Sequence, residues 1–514
     1  MHPGPARVRW QKVPPMTHDQ WLEAEVFKFG EGETWRLRDA MAGTFIVGGR
    51  GSGKTSGSGY TIASSFLRLG MGGLVLTVKA EDLSTWACEY AKESGRPFDE
   101  DFVVLQPQRE HPQSVWPDGI ARPSFRPFNL IGYEYQNGGQ ISENVSSLLM
   151  EGLSAGQGEF TQEPYWPRAA KQLVLNAVHL AAAGTAATDG KPEVRFQDLL
   201  DIIDTAPQSL ADLESPRYKG GRCYELLQRV NEVRDLVALP EYLDLKRTST
   251  FWTHHFPGLH ERTRNVIVSV FTSMAEGMLR SPLRELFCSD TVAEASPEAS
   301  FSADPVTGRP KVLVLNLPVN LYNDAGRFAQ VLYKTVWQRA AQRRIQQIIA
   351  NSNAWRPVFL WADEGQHFVT ESDLGFEQTA RSALVATVML TQSLPNIAAA
   401  VGETRGNCFV GLLQTKIFHA NSDVETNQYA EQLFGKRKSR RLTVPLTLEG
   451  SWSESAEETP FIPAGLFTTL KTGGPSRDPR FDRRVGAYVF QAGRQWRVKH
   501  RDRHYHEFEQ RRDG

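Results

Sequence analysis

The residues best suited to chemistry lie close to the start of the chain. Gly48-Gly49-Arg50-Gly51-Ser52-Gly53-Lys54-Thr55 fits the pattern GxxxxGK[ST] without a gap. It follows an apolar run, Thr44–Val47, and opens a helical pattern, which is the context this motif requires. Glycines let backbone N–H groups turn inward around phosphate oxygens, and the start of a helix adds a favourable partial charge. Gly48, Gly49, Arg50, Gly51, Ser52, Gly53, Lys54, Thr55 and Ser56 are therefore the expected nucleotide-binding residues. Lys54 is expected to reach the β- and γ-phosphates of ATP, and the Thr55 hydroxyl to bind Mg²⁺.

A second acidic motif answers the first. Pro357-Val-Phe-Leu-Trp-Ala-Asp363-Glu364 is an apolar strand ending in two carboxylates. The C-terminal edge of a parallel sheet is where such sheets bind ligands. Asp363 is expected to hold Mg²⁺ and Glu364 to polarise the attacking water. An apolar run ending in acids is common, and the pair gains meaning from the phosphate loop. Gln392, at the end of the next strand, Ala386–Leu390, is an amide able to sense the γ-phosphate or position water. It also fits a solvated strand-end amide.

Elements must bring these residues together. Thr44–Val47, Leu74–Val78 and Phe102–Leu105 read as short buried strands, with helical patterns between them such as Ile62, Phe66 and Leu69. The pattern resumes at Val312–Leu317, Val358–Trp361, Ala386–Leu390 and Lys416–His419. Such alternation predicts an α/β fold: a RecA-like P-loop core with a mostly parallel sheet. Between its halves Trp166, Ala170, Leu173, Ala177 and Leu180 mark an amphipathic helix. More helical stripes follow, so an all-α insertion domain is expected. The expected organisation is an N-terminal arm (1–42), a first core part (43–158), the insertion (159–297), a second core part (298–440) and a C-terminal hairpin with a tail (441–514). The hairpin is expected at Gly486–Val498.

Composition sets bounds. The 514 residues suffice for two or three domains, and 40% apolar with 23% charged residues is globular. A formal net charge of -1 points to no nucleic-acid or membrane partner, so any such partner needs a local patch. Cys88, Cys223, Cys288 and Cys408 form no CxxC pair and fit a reducing cytosol. His254, His255 and His260 lack the companions of a metal site. No stretch reaches the roughly 18–20 apolar residues of a membrane helix, so a cytoplasmic chain without a transmembrane segment is expected.

The runs FIVGGRGSGKT, LVLTVKAEDL, VVLQP, FNLIG, FLWADEGQ, ARSALVATVMLTQS and LLQTKIFHAN, over about 43–435, resemble the coupling-protein ATPases of conjugative type IV secretion. These are TraG/TraD-like members of the FtsK/HerA class of DNA motors. The phosphate-loop and acidic motifs are generic; the order of the blocks is the more specific feature. The resemblance implies a homo-oligomeric ring, a hexamer, that hydrolyses ATP and moves or selects DNA. It also implies secretion-channel or relaxase-type protein partners and recruitment to the inner membrane. Lys54, Thr55, Asp363, Glu364 and Gln392 match the family's nucleotide-site positions. Coupling proteins usually begin with transmembrane helices; here the first core strand starts by Thr44 with none before it.

Two further features bear on that reading. Lys436-Arg-Lys-Ser-Arg-Arg441 is a dense basic run suited to DNA phosphates, and equally a solvated loop. Arg262 and Arg264 are weaker candidates for DNA contact. In a ring, an arginine from the neighbour often completes the site. Arg381, between the Glu364 and Gln392 segments, is the first choice and Arg405 the second, each also readable as a surface arginine with a local carboxylate. Two functions stand: a DNA-translocating ATPase, or a nucleotide-dependent assembly ATPase that recruits protein cargo.

Overall fold

The computed structural model describes residues 16–29, 33–109, 111–156, 165–305, 307–443, 453–475, 482–494, 496 and 504–510. The start of the expected insertion, near Glu159, and much of the tail lie outside the described residues. The chain forms two compact units. The first comprises Met1–Gly73, Thr85–Phe98 and Ile345–Gly514; the second comprises Leu74–Ser84 and Asp99–Arg344.

The first unit begins with an antiparallel ribbon, β1 (Glu25–Lys28) with β2 (Thr34–Arg36). Its sheet is built around β3 (Thr44–Val47); the second unit holds β4 (Gly72–Leu76, which starts at the unit boundary), β5 (Phe102–Leu105) and β6 (Val312–Leu315). Back in the first unit come β7 (Val358–Ala362), β8 (Val385–Thr391) and β9 (Thr415–Phe418). Every residue of β3, β7, β8 and β9 is buried, so β7 reads as an unbroken apolar run, while β9 buries Lys416 by donating to the Leu413 carbonyl at 2.6 Å. The strands β3, β7, β8 and β9 run parallel, with β3 between β8 and β9. Register then decides what meets at their C-terminal ends. Val47 lies opposite both Thr391 and Phe418, and Ala362 lies opposite Met389. The loops after β3, β7, β8 and β9 therefore leave from one edge. The fold is the RecA-like P-loop type with a mostly parallel sheet.

A ribbon of β10 (Lys436–Thr443) and β11 (Ser453–Pro460) stands apart from this sheet. Beyond β9 the sheet continues antiparallel through β12 (Arg484–Gln491) and β13 (Tyr505–Glu509). This corrects the expected hairpin at Gly486–Val498: the partner of β12 is Tyr505–Glu509. Two described residues between these strands, Arg494 and Trp496, pack elsewhere. Trp496 is buried with its ring 4.4 Å from Phe29, and the Arg494 guanidinium lies 4.1 Å above Trp496. Arg494 also bonds Asp39 at 3.0 Å and Glu33 at 2.9 Å. Trp496 thus packs on the N-terminal segment rather than across a hairpin from β12.

In the second unit β5 and β6 pair in parallel, in the order β4-β6-β5. Gln330 anchors the end of β4: it accepts from Thr77 N at 2.8 Å and donates to the Thr77 and Leu317 carbonyls at 2.9 and 2.8 Å. Among the described residues no strand lies between β5 and β6. Long helices fill the interval, including Ser142–Gly156, Tyr165–Asp189 and Glu261–Leu279. Ala170, Leu173, Ala177 and Leu180 are buried along one face of the second of these. Arg264 is also buried, donating to Gln208 and to the Leu259 carbonyl, both at 3.0 Å, so it is structural; Arg262 is exposed. No helix among the described residues is long and apolar enough to cross a membrane.

Candidate nucleotide site

After β3 the chain turns through Gly48–Gly53 and enters a helix at Lys54. Gly53 has φ +82°, and a Cβ there would meet Val485 Cγ2 at 2.6 Å. Backbone conformation and packing from β12 both demand glycine at this position. The first turn of the helix, Thr55–Gly59, is wide: Gly59 N donates to the Lys54 carbonyl at 2.8 Å, five residues back. Below it Ser58 Oγ donates to the same carbonyl at 3.3 Å and lies 2.7 Å from His419 Nε2.

Lys54, Asp363 and Glu364 are 7%, 9% and 5% exposed. Thr55 Oγ1 donates to Asp363 Oδ2 at 2.8 Å, and Asp363 Oδ1 accepts from Glu364 N at 2.9 Å. Glu364 takes a left-handed conformation, φ 50° and ψ 48°. That conformation is unusual for a residue with a side chain and often marks a functional position. Glu364 Oε1 lies 3.4 Å from Lys54 Nζ and accepts from Gln392 Nε2 at 3.1 Å. Its Oε2 accepts from Gln366 Nε2 at 3.1 Å. The five residues singled out at three distant points of the sequence, Lys54, Thr55, Asp363, Glu364 and Gln392, thus form one bonded cluster.

The donors fit Mg²⁺. A hydroxyl and a carboxylate oxygen 2.8 Å apart are hard oxygen ligands of the kind Mg²⁺ takes alongside retained waters and substrate phosphates. Lys54 sets a buried cation 3.4 Å from Glu364, and Arg50 is exposed on the loop. Ser52 is buried within the loop, and Ser56 Oγ accepts from Gln510 Nε2 at 2.7 Å.

Arg381 is not brought to this cluster. The helix Glu371–Ala380 carries the chain back from the C-terminal edge, so Arg381 is exposed just ahead of β8. Gln392 follows the other end of that seven-residue strand, roughly 20 Å away. The expectation that Arg381 lies near the nucleotide edge is thus corrected; a strand-to-strand crossover must deliver the chain to the far edge before the next parallel strand begins. Arg405 pairs at 3.2 Å with Glu371, at the start of that helix, and is 54% exposed.

The basic run forms β10, a strand, and Lys438 faces Glu458 on β11. Sequence reasoning missed Gln366, Thr391, His419, Asn421 and Gln510. Asn421 Nδ2 donates to the Gln392 carbonyl at 2.9 Å and so fixes the turn that presents it. His419 closes the expected strand Lys416–His419, Asn421 lies two residues past it, and Gln366 lies two residues past Glu364. Position near a strand end was the available signal for these three. Nothing near Gln510 points to the loop.

No protein-family model matches the chain, and no curated protein matches it. Among solved structures it is similar to the plasmid coupling protein TrwB in complex with the GTP analogue GDPNP, at 14% identity and TM-score 0.55, over 97% of this chain and 94% of that one. It is likewise similar to TrwB with ADP and Mg²⁺, at 13% identity and TM-score 0.54, over 96% and 91% of the two chains. TrwB with the ATP analogue ADPNP matches at 14% identity and TM-score 0.54, over 97% and 93%. At this identity the likeness is one of fold.

Proposed function

We propose that the chain is an ATP-hydrolysing motor of the conjugative coupling type, moving or selecting DNA as a homo-oligomeric ring, a hexamer. The observation that carries the reading is the cluster of Lys54, Thr55, Asp363, Glu364 and Gln392 at one sheet edge. The nucleotide and Mg²⁺ complexes of TrwB, a structure of the same fold, support it.

In this reading the residues Gly48–Ser56 cradle the phosphates and Lys54 balances charge on the β- and γ-phosphates. Thr55 and Asp363 are the residues that would hold Mg²⁺, whose bound charge favours the charge-rich transition state. Glu364 takes the proton of the attacking water as its oxygen bonds to the γ-phosphorus and the bond to the bridging oxygen breaks. Gln392 orients that water or senses the γ-phosphate. An arginine from the neighbouring subunit completes the site. Arg405 is favoured by its place beside Glu371, and Arg381 remains in the test.

The region 159–297 serves as a specificity domain for DNA or relaxase-type and channel proteins, inserted between core parts 43–158 and 298–440. The chain works in the cytoplasm, recruited to the inner membrane by partners. Lys436–Arg441 is the proposed DNA-contacting run. A second reading, a cargo-recruiting assembly ATPase, draws support from Lys438 facing Glu458, since a paired acid lowers the field available to DNA. ATP turnover measured with and without single- and double-stranded DNA separates the two. Stimulation that fades as salt rises supports the motor; unstimulated turnover with no DNA binding supports assembly.

A further inference from the structure

We infer that Gln366 is a positioning residue that aims the carboxylate of Glu364 at the phosphate loop, with Thr391 anchoring the far end of the Gln366 amide. This rests on the ATPase reading of the same site. Glu364 sits beyond the end of β7 in a left-handed conformation, so no strand ladder holds it. Its side chain needs other restraints. Gln366 Nε2 donates to Oε2 at 3.1 Å while Gln392 Nε2 donates to Oε1 at 3.1 Å. Two amides from two different loops therefore each take one oxygen and fix the plane of the carboxylate.

An amide can present either end, and only its N–H₂ end suits a carboxylate. The acceptor-only carboxylate draws the N–H₂ end, and Thr391 holds the other end in place: its hydroxyl donates to Gln366 Oε1 at 2.9 Å. Turning the amide over would set Oε1 against the Glu364 carboxylate. Thr391 is fully buried and closes β8, opposite Val47, the residue before the phosphate loop. The chain Thr391–Gln366–Glu364 thus ties the orientation of the carboxylate to the rigid sheet that carries the loop. The choice of residue is also apt. A neutral amide holds a carboxylate without cancelling its charge, whereas an arginine there would add a competing cation beside Lys54.

The test uses the full chain with ATP and Mg²⁺, reading kcat and KM together with equilibrium binding of a fluorescent ATP analogue. Gln366→Ala is expected to lower kcat about tenfold while KM and analogue binding stay within about twofold, as befits a group acting only on the chemical step. Thr391→Val, which keeps shape and loses the hydroxyl, should lower kcat by about threefold, and Thr391→Ser should restore it. In the double variant Gln366→Ala/Thr391→Val the second change should cost nothing further, because the hydroxyl acts through the amide. Parent-level or raised kcat in Gln366→Ala, additive losses in the double variant, or a loss confined to KM would each overturn the inference while leaving the ATPase reading in place. Absence of ATP turnover in the parent chain would overturn both.

Discussion

Thr55 and Asp363 are 308 residues apart in sequence, yet the Thr55 hydroxyl donates to Asp363 Oδ2 at 2.8 Å. The parallel register of β3, β8 and β7 makes this possible, because it levels the ends of strands drawn from both ends of the chain. That contact fixes where a divalent cation would sit.

The cation assignment leads to the first prediction. In the parent chain Mg²⁺ should tighten binding of a fluorescent ATP analogue. Asp363→Ala should abolish that gain while leaving metal-free binding nearly intact, with Thr55→Ala showing a smaller loss. An Asp363→Ala chain whose affinity still rises with Mg²⁺ as the parent's does would move the metal elsewhere.

Close packing beside Glu364 makes Gly365 sensitive. A Cβ there would overlap Met389 Sδ, and Met389 is buried on β8. Gly365→Ala should cost about 1–3 kcal/mol of stability by overpacking. Met389→Ala in the same chain should recover part of that loss by making room. Denaturant unfolding checks both, and an unchanged midpoint in Gly365→Ala would contradict the packing.

Two histidines of the first unit make its stability depend on acid. Burial pushes His419 down from the ordinary 6.5 to about 3, with the Lys54 charge adding to the effect, and burial lowers His506 to about 4. Between those values and 6.5 the unfolded chain binds protons that the folded chain does not. Stability should therefore fall as pH drops below 6.5, by up to roughly 1.4 kcal/mol per pH unit for each histidine. His506→Phe preserves an aromatic ring 4.5 Å from Phe508 and should remove about half the slope. Unfolding free energy that stays flat from pH 7 to pH 5 would contradict the neutral burial of these rings.

The proposed arginine from a neighbouring subunit is open to a mixing experiment. Arg405→Ala and Lys54→Ala chains should each be inactive, and mixtures should regain hydrolysis where an intact arginine meets an intact phosphate loop. Arg381→Ala alone should keep most activity, since Arg381 lies at the far end of β8. Recovery with Arg381→Ala mixtures, and none with Arg405→Ala mixtures, would reverse the assignment.

Much of the site was legible because the chemistry at strand ends is written locally. A glycine-rich turn before a lysine, and acids closing an apolar strand, need no knowledge of distant contacts. Gln392 was legible for the same reason. Arg381 was misplaced because the sequence shows that a segment returns across the sheet, not where along it a residue stops. Gln366 was overlooked because a polar residue after a motif has no periodicity to mark it; its role comes from Thr391, twenty-five residues on. The C-terminal hairpin was misread because pairing partners are not written locally: β12 pairs with Tyr505–Glu509, while Trp496 packs against Phe29 from the opposite end of the chain.

ATP hydrolysis by Glu364→Gln tests the central claim most directly. The amide cannot take a proton from water, so turnover should fall about 10²–10³-fold while the chain still binds the ATP analogue in a Mg²⁺-dependent way. Lys54→Ala should lose turnover too, through loss of charge on the phosphates. Parent-rate hydrolysis by purified Glu364→Gln would contradict the account, because the cluster built around that carboxylate would then not be the catalytic site.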